Sequence, residues 1–289
     1  MDVPVREVIR PTSLAEAVAL LAARGDAKPI AGGTDLMVQL RDGRRSAALL
    51  VDLGALDLAG IRRTGEGLEV GAMTPMDRLA GDPEIRAHFP ALAAAAATVG
   101  AWPIQCRATL GGNLANASPA ADTAPALLVA DASLTLASTA GSRRVAVAEF
   151  FRGPGQNALA PGELIVSVAL PFQAAGHGSR IVESFVKVGP RREQVISMAS
   201  LAARVVARGD GTLESARFAL GSVAPTPVRA RRAEAALVGR RPDDDARRDA
   251  VRGLQRDIAP IDDVRAPARY RRIAAAVLLD RFLDEAAVV

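Results

Sequence analysis

The chain is poor in the residues that hold metals or perform nucleophilic chemistry. Cys106 is its single cysteine, which excludes an internal disulfide, a CxxC zinc site and an iron–sulfur cluster held by this chain alone. His88 and His177 are its two histidines and stand far apart in the sequence, so a His-based metal site or catalytic triad lacks its parts. Aromatic residues make up 3% of the chain, too few for the stacking platforms that bind single-stranded nucleic acid. Lysine occurs twice, at Lys28 and Lys187, so arginine supplies nearly all of the 36 basic residues. These face 32 acids and leave a net charge of +4, which argues against a nucleic-acid partner. No 18-residue uncharged apolar run is present, and no basic segment followed by an apolar run opens the chain. The expectation is a cytoplasmic, soluble protein without a membrane span.

What remains is a chain of 289 residues with 49% hydrophobic content, enough for one large domain or two ordinary ones with a core that needs no disulfide. Its first fifty residues alternate strand and helix signals. Glu7–Arg10 reads as a strand stopped by Pro11. Ser13-Leu14-Ala15-Glu16 is a capping box, followed by an apolar face of Leu14, Val18 and Leu21. Lys28–Ala31 and Ala48–Leu53 read as strands flanking a short helix over Asp35–Leu40, a βαβ-like unit. Further on, Gly65-Glu66-Gly67 reads as a hairpin turn, Thr74-Pro75 as a helix start and Pro90–Gly100 as an alanine-rich helix. Strands are expected at Ser133–Ala137, Arg143–Val147 and Glu163–Leu170. The small-residue run Gln173–Ser179 reads as a linker. Beyond it, Arg180–Val188, Ser200–Arg208 and Leu213–Leu220 read as three strands. Helices follow at Pro227–Val238, Asp243–Arg256 and Ala268–Leu283. Residues 229–272 carry thirteen arginines against eight acids, a pattern of a solvated face or a subunit interface.

Two stretches carry chemistry. Thr109-Leu110-Gly111-Gly112-Asn113 is a Gly-Gly pair flanked by a hydroxyl and an amide. Paired glycines allow close backbone approach and positive φ, so that consecutive N–H groups can face an anion. Asn116-Ala117-Ser118-Pro119 then reads as a helix start, with Asp122 in the first turn and Pro125 leaving that start ambiguous. The second stretch is Pro29-Ile30-Ala31-Gly32-Gly33-Thr34-Asp35-Leu36, an apolar run, a Gly-Gly pair and a polar pair opening a helix, another arrangement able to hold phosphate. Neither stretch is GxGxxG or GxxxxGK[ST]. For the stretch around Gly111 and Gly112, a tight turn before a buried alanine-rich helix stands as the alternative.

Together the two Gly-Gly stretches, with the second running on as GGN-x-x-N-x-S-P-x-x-D, resemble the FAD-binding medium subunit of the molybdenum hydroxylases, the xanthine dehydrogenase and carbon monoxide dehydrogenase family. The resemblance covers essentially the whole chain. It implies an α+β fold with a two-lobed FAD-binding domain over residues 1–174, lobes at about 1–55 and 56–174, and a smaller sheet-plus-helices domain over 178–289. It implies FAD as cofactor, a [2Fe-2S] small subunit and a molybdopterin large subunit as partners, and NAD, oxygen or a quinone as electron acceptor.

On this resemblance Gly32, Gly33, Gly111 and Gly112 would offer amides to the FAD pyrophosphate, with Thr34 and Thr109 as further donors and Asn113 against the cofactor. Asp122 would accept from the ribose–adenine end. Val99 and Ile165, which the residues alone would assign to the core, join the site through the resemblance. Lys187, opening Lys187-Val188-Gly189-Pro190-Arg191-Arg192-Glu193, would place an ammonium near the flavin, where it would stabilise the anionic reduced form. Arg191 and Arg192 would shape access for the acceptor. Cys106 stands where members of that family often carry asparagine, and a thiol is a weaker hydrogen-bonding group. Two other classes stay open: a free-standing FAD oxidase of the vanillyl-alcohol oxidase type, and a protein that binds FAD or ADP without redox turnover.

Overall fold

A computed structural model describes residues 5–191 and 194–288. The described residues build three larger sheets and a two-stranded ribbon of Phe151–Gly153 with Gln156–Asn157. The strands Glu7–Ile9, Leu49–Asp52 and Ala27–Ile30 form a parallel sheet in that order. The helix Leu14–Ala23 crosses over between the first two strands in sequence and lays Ala17, Val18 and Leu21 on Leu49 and Val51. Ser13 caps it as expected, accepting from the Glu16 amide at 3.2 Å.

The second sheet is antiparallel and runs Ile61–Arg63, Gly67–Gly71, Leu164–Pro171, Ser133–Ser138, Gly141–Ala146. Its inner face covers a core of Leu68, Val70, Leu134, Leu136, Val168 and Leu170. Short helices close this core, among them Pro90–Ala97, five of whose eight residues are buried. Alanine at those positions lets the helix approach its neighbours closely.

The third sheet orders Arg180–Val188, Ala199–Ala207, Leu213–Gly221 and Val228–Arg229, all antiparallel. Every residue of Ala199–Ala207 is buried, because the strand is covered on both sides. Leu201, Ala203 and Val205 face a second core with the helices Arg231–Leu237, Asp244–Asp257 and Ala268–Val288. The alternate residue Ala202, with Ala219 and Phe185, belongs instead to the core of the second sheet. The third sheet is thus sandwiched between its own helices and those of the preceding region, and it meets the helix Thr123–Val129 directly. No helix among the described residues is long and apolar enough to cross a membrane.

The structure departs from the sequence expectations at several helix starts. Pro75, not Thr74, holds the N-cap position of Met76–Gly81, and the Thr74 hydroxyl instead bonds both the amide and the carbonyl of Gly60. Ser118 and Pro119 lie in a turn. The helix begins at Thr123 with Asp122 as its N-cap residue, which puts Pro125 in the first turn, where an N–H is not required. Val228 and Arg229, expected to be helical, are a short edge strand. The connection between Pro171 and Arg180 contains no regular element.

Candidate functional site

The two Gly-Gly stretches meet. An ideal Cβ on Gly32 would lie 1.8 Å from the carbonyl oxygen of Arg107, and one on Gly112 would lie 4.0 Å from the Ala31 methyl. They differ in local structure, however. Gly33 adopts φ +73° and ends the strand Ala27–Ile30 in a turn that leads to the helix Leu36–Arg41. Among the described residues, no protein group accepts from the amides of Gly32, Gly33, Thr34 or Asp35. Four successive N–H groups without an acceptor among the described residues are the kind of donors that an anion-binding concavity uses.

Gly111 and Gly112 are instead inside the helix Leu110–Asn116, whose N-cap is Thr109. The Gly111 amide donates to Ala72 O at 2.8 Å, the Gly112 amide to Thr109 Oγ1 at 3.1 Å, and neither glycine has positive φ. This corrects the expectation of a second left-handed turn, since those two donors are already spent within the protein. Gly111 is required for packing, as a Cβ there would stand 2.7 Å from that of Ala72. The left-handed residue of this stretch is Ala117, at φ 49°, which ends the helix.

Both stretches border one cleft of about 1140 Å³, above the roughly 300–1,000 Å³ of common small-molecule sites. Of the residues expected in the site, all but Ile30, Leu110 and Lys187 line it. Pro29, Ala31, Thr34, Asp35 and Leu36 come from the first stretch, Thr109 and Asn113 from the second. Val99 and Ile165 line the cleft while packing against the main core. Ile30 and Leu110 turn into hydrophobic cores. Asn113 Oδ1 accepts from Thr123 Oγ1 at 2.6 Å, and its amide nitrogen has no partner among the described residues.

Lys187 is the largest departure from expectation. Its ammonium is buried and donates to Asp122 Oδ2 at 2.7 Å, Thr98 O at 2.7 Å and Val195 O at 3.2 Å. All three donors are committed. Asp122 Oδ1 is buried, with no hydrogen-bond partner among the described residues. Burial pushes its carboxyl above the ordinary aspartate value, and the charge of Lys187 only partly draws it back. Arg191 bonds the Gln194 carbonyl; Arg192 lies outside the described residues. Cys106 is half-buried, and burial and the nearby Asp77 carboxylate push its thiol up, away from the reactive thiolate.

Several lining residues escaped the sequence reading. Asn116 accepts from Gln39 Nε2 at 3.1 Å, and the same Gln39 amide bonds Asp35, so the two stretches are tied across the cleft floor. The pairing of Asn116 with a residue 77 positions away left no local signal. Gln194 to Ser197, Ser222 and Asp263 come from the region of the third sheet. Arg271, buried on the last helix, also lines the cleft and bonds Ser222 O at 2.7 Å, Met198 O at 2.9 Å and Asp263 Oδ1 at 2.6 Å. No group of three or more His, Cys, Asp or Glu side chains that could hold a metal occurs among the described residues.

Residues 4–173 match the model of the FAD binding domain in molybdopterin dehydrogenase, and residues 184–286 that of the CO dehydrogenase flavoprotein C-terminal domain. The chain belongs to the family of FAD-binding medium subunits of molybdenum hydroxylases. It is 34% identical to the carbon monoxide dehydrogenase medium chain of Afipia carboxidovorans, covering 96% of this chain and 95% of that one. A putative xanthine dehydrogenase FAD-binding subunit of Escherichia coli is 32% identical over 96% of this chain and 94% of its own length. Among solved structures, a chain of the Cu,Mo-CO dehydrogenase superposes with a TM-score of 0.93 at 32% identity over 100% of this chain and 99% of that chain. Quinoline 2-oxidoreductase from Pseudomonas putida gives 0.91 at 30% over 99% and 98%. Within this family the chain is an oxidoreductase flavoprotein subunit.

Proposed function

We propose that the cleft holds FAD and that the chain passes electrons from the iron–sulfur clusters of a partner subunit to an external acceptor. The observation that carries this reading is the run of amides from Gly32 to Asp35, which have no acceptor among the described residues and belong to the lining of a cleft of about 1140 Å³. These amides would take the pyrophosphate, with Gly33 at φ +73° aiming them. The amide nitrogen of Asn113 and the carboxylate of Asp122, both residues of the cleft lining, would supply a donor and an acceptor elsewhere along the cofactor, the acceptor toward the ribose–adenine end. Val99 and Ile165 would exclude water from its apolar faces. FAD exchanges either one or two electrons, which suits a subunit between one-electron clusters and a two-electron acceptor such as NAD, oxygen or a quinone.

A [2Fe-2S] small subunit and a molybdopterin large subunit are the partners this reading requires, because one cysteine holds no cluster and the substrate would be oxidised on another polypeptide. We place the boundary between an FAD-binding domain, 1–174, and a C-terminal domain, 178–289, in the connection before Arg180, and the site of action in the cytoplasm. Full-length similarity to subunits of multi-subunit dehydrogenases favours this over a free-standing flavin oxidase. In the test, the isolated FAD-loaded chain transfers electrons from NADH to an artificial dye but oxidises no aldehyde, purine or N-heterocycle. That second activity requires added iron–sulfur and molybdenum subunits. Sustained turnover of such a substrate by the metal-free single chain would overturn the subunit reading.

A further inference from the structure

Lys187 ties together three segments that are far from one another in sequence, around Thr98, Asp122 and Val195, and each of them contributes to the cleft wall. It sits on the strand Arg180–Val188, opposite Ser200. Thr98, whose carbonyl it bonds, precedes the lining residue Val99. Asp122 lines the cleft itself. Val195, the third acceptor, belongs to the lining segment Gln194–Ser197, which connects two strands of the third sheet. Within that segment Gln194 has φ 51°, a conformation that a non-glycine side chain keeps only where its surroundings hold it. The Arg191 guanidinium reaches the Gln194 carbonyl, and the Met198 amide donates to Val188 O at 2.8 Å. Ile196 between them is 51% exposed.

Because its three donors are already engaged, the ammonium serves the cleft from behind. We infer that Lys187 is a positioning residue, a latch that fixes the Gln194–Ser197 wall against Thr98 and Asp122 and so sets the shape of the cleft. This rests on the FAD reading for its consequence, but the latch itself concerns the protein alone. A wall that is in place for only a fraction of the time lowers apparent affinity by that fraction. The latch also explains why lysine and not arginine suits the position: a compact ammonium donates in three directions, whereas a planar fork does not.

The experiment uses the full chain. Lys187→Met removes the ammonium, and the double variant Lys187→Met/Asp122→Asn removes both charges so that neither is left buried alone. Thermolysin cleavage before Ile196 and amide exchange at Met198 are measured without FAD. FAD affinity follows, then the visible spectrum and midpoint potential of FAD bound at saturation. In either folded variant, cleavage and exchange should accelerate about tenfold while exchange in the strand Leu213–Gly221 is unchanged. In Lys187→Met, which keeps the Asp122 carboxylate, affinity should then fall about tenfold, and the spectrum and potential of the bound flavin should stay those of the wild type, since the three ammonium donors are engaged within the protein. Unchanged cleavage and exchange in the folded double variant would overturn the latch. So would a shifted flavin spectrum or potential with an unchanged Gln194–Ser197 wall, which would mark direct contact. A wild-type chain that takes up no FAD would sink the FAD reading, and cleavage would still decide the latch.

Discussion

The carbonyl oxygen of Arg107 occupies the space that a side chain on Gly32 would need, 1.8 Å from an ideal Cβ. The two glycine pairs are therefore parts of one object: the second stretch rests against the first and fixes the position of its free amides. A hydrogen-bond ladder from Ala72 to Met76 holds the second stretch in turn, with Leu110 N donating to Thr74 O at 3.0 Å and Met76 N to Ala108 O at 2.9 Å.

Gly32→Ala should consequently be worse than an ordinary overpacking change, whose cost is about 1–3 kcal/mol. The obstacle is backbone, not the end of a flexible side chain. Thermal unfolding of the purified variant should show a lowered midpoint together with lost flavin. A normal midpoint with full flavin content would mean that the two stretches do not touch as described.

Gly33→Ala separates strain from crowding. The nearest atoms to a Cβ there are Ile30 Cδ1 at 3.3 Å and Met37 Cγ at 3.4 Å, which can yield. The left-handed conformation itself costs a non-glycine residue about 1–2 kcal/mol. We expect about a tenfold loss of FAD affinity with the fold intact, read by fluorescence titration. Gly112→Val, in contrast, acts through Thr109 Oγ1, 3.0 Å from its Cβ. It should fray the helix Leu110–Asn116 and release flavin by that route.

Ala117→Gly should stabilise the protein. Ala117 ends the helix Leu110–Asn116 at φ 49°, where glycine escapes the left-handed penalty of about 1–2 kcal/mol but loses up to about 1 kcal/mol in chain entropy. A net gain of some tenths to about 1 kcal/mol should appear as a raised melting temperature. A lowered one would contradict the assignment.

Acid should weaken the attachment of the last helix. Burial alone would raise the Asp263 carboxyl, but the amides of Arg265 and Ala266 and the guanidinium of Arg271 outweigh it and hold it down, from the ordinary 3.8 to about 2. A carboxylate depressed in the folded state contributes stability that is present above its unfolded value and lost as pH falls through the folded one. The contribution should therefore fade between about pH 4 and pH 2. Asp263→Asn should flatten that part of the stability–pH curve, as measured by urea unfolding at a series of pH values. An unchanged acid limb would remove Asp263 from the account.

Much of this architecture could be read locally. The capping box at Ser13, the alternation around Leu49–Asp52 and the three strands after Arg180 follow from periodicity and turn residues, and each lies within two residues of its expected bounds. The two Gly-Gly pairs stand out in the sequence and border one cleft, but their conformations were not distinguishable there. Gly33 and Gly111 look alike there; one turns left-handed, while the other is drawn into a helix because Thr109 caps it and Ala72 packs on it. Asp122 and Lys187 were each singled out, yet nothing in the sequence links residues 65 positions apart, and the burial that makes them partners arises only when the third sheet packs on the helix Thr123–Val129. Arg271 was hidden for a similar reason, as one arginine among thirteen.

The most direct test of the central claim is a titration of the purified, flavin-stripped chain with FAD, followed by visible absorbance and flavin fluorescence, with FMN in parallel. The account predicts saturation at one FAD per chain and a weaker complex with FMN, which lacks the pyrophosphate and adenosine that the Gly32–Asp35 amides and Asp122 would hold. A folded chain that stays colourless and takes up no FAD, or that binds FMN as tightly as FAD, would contradict it.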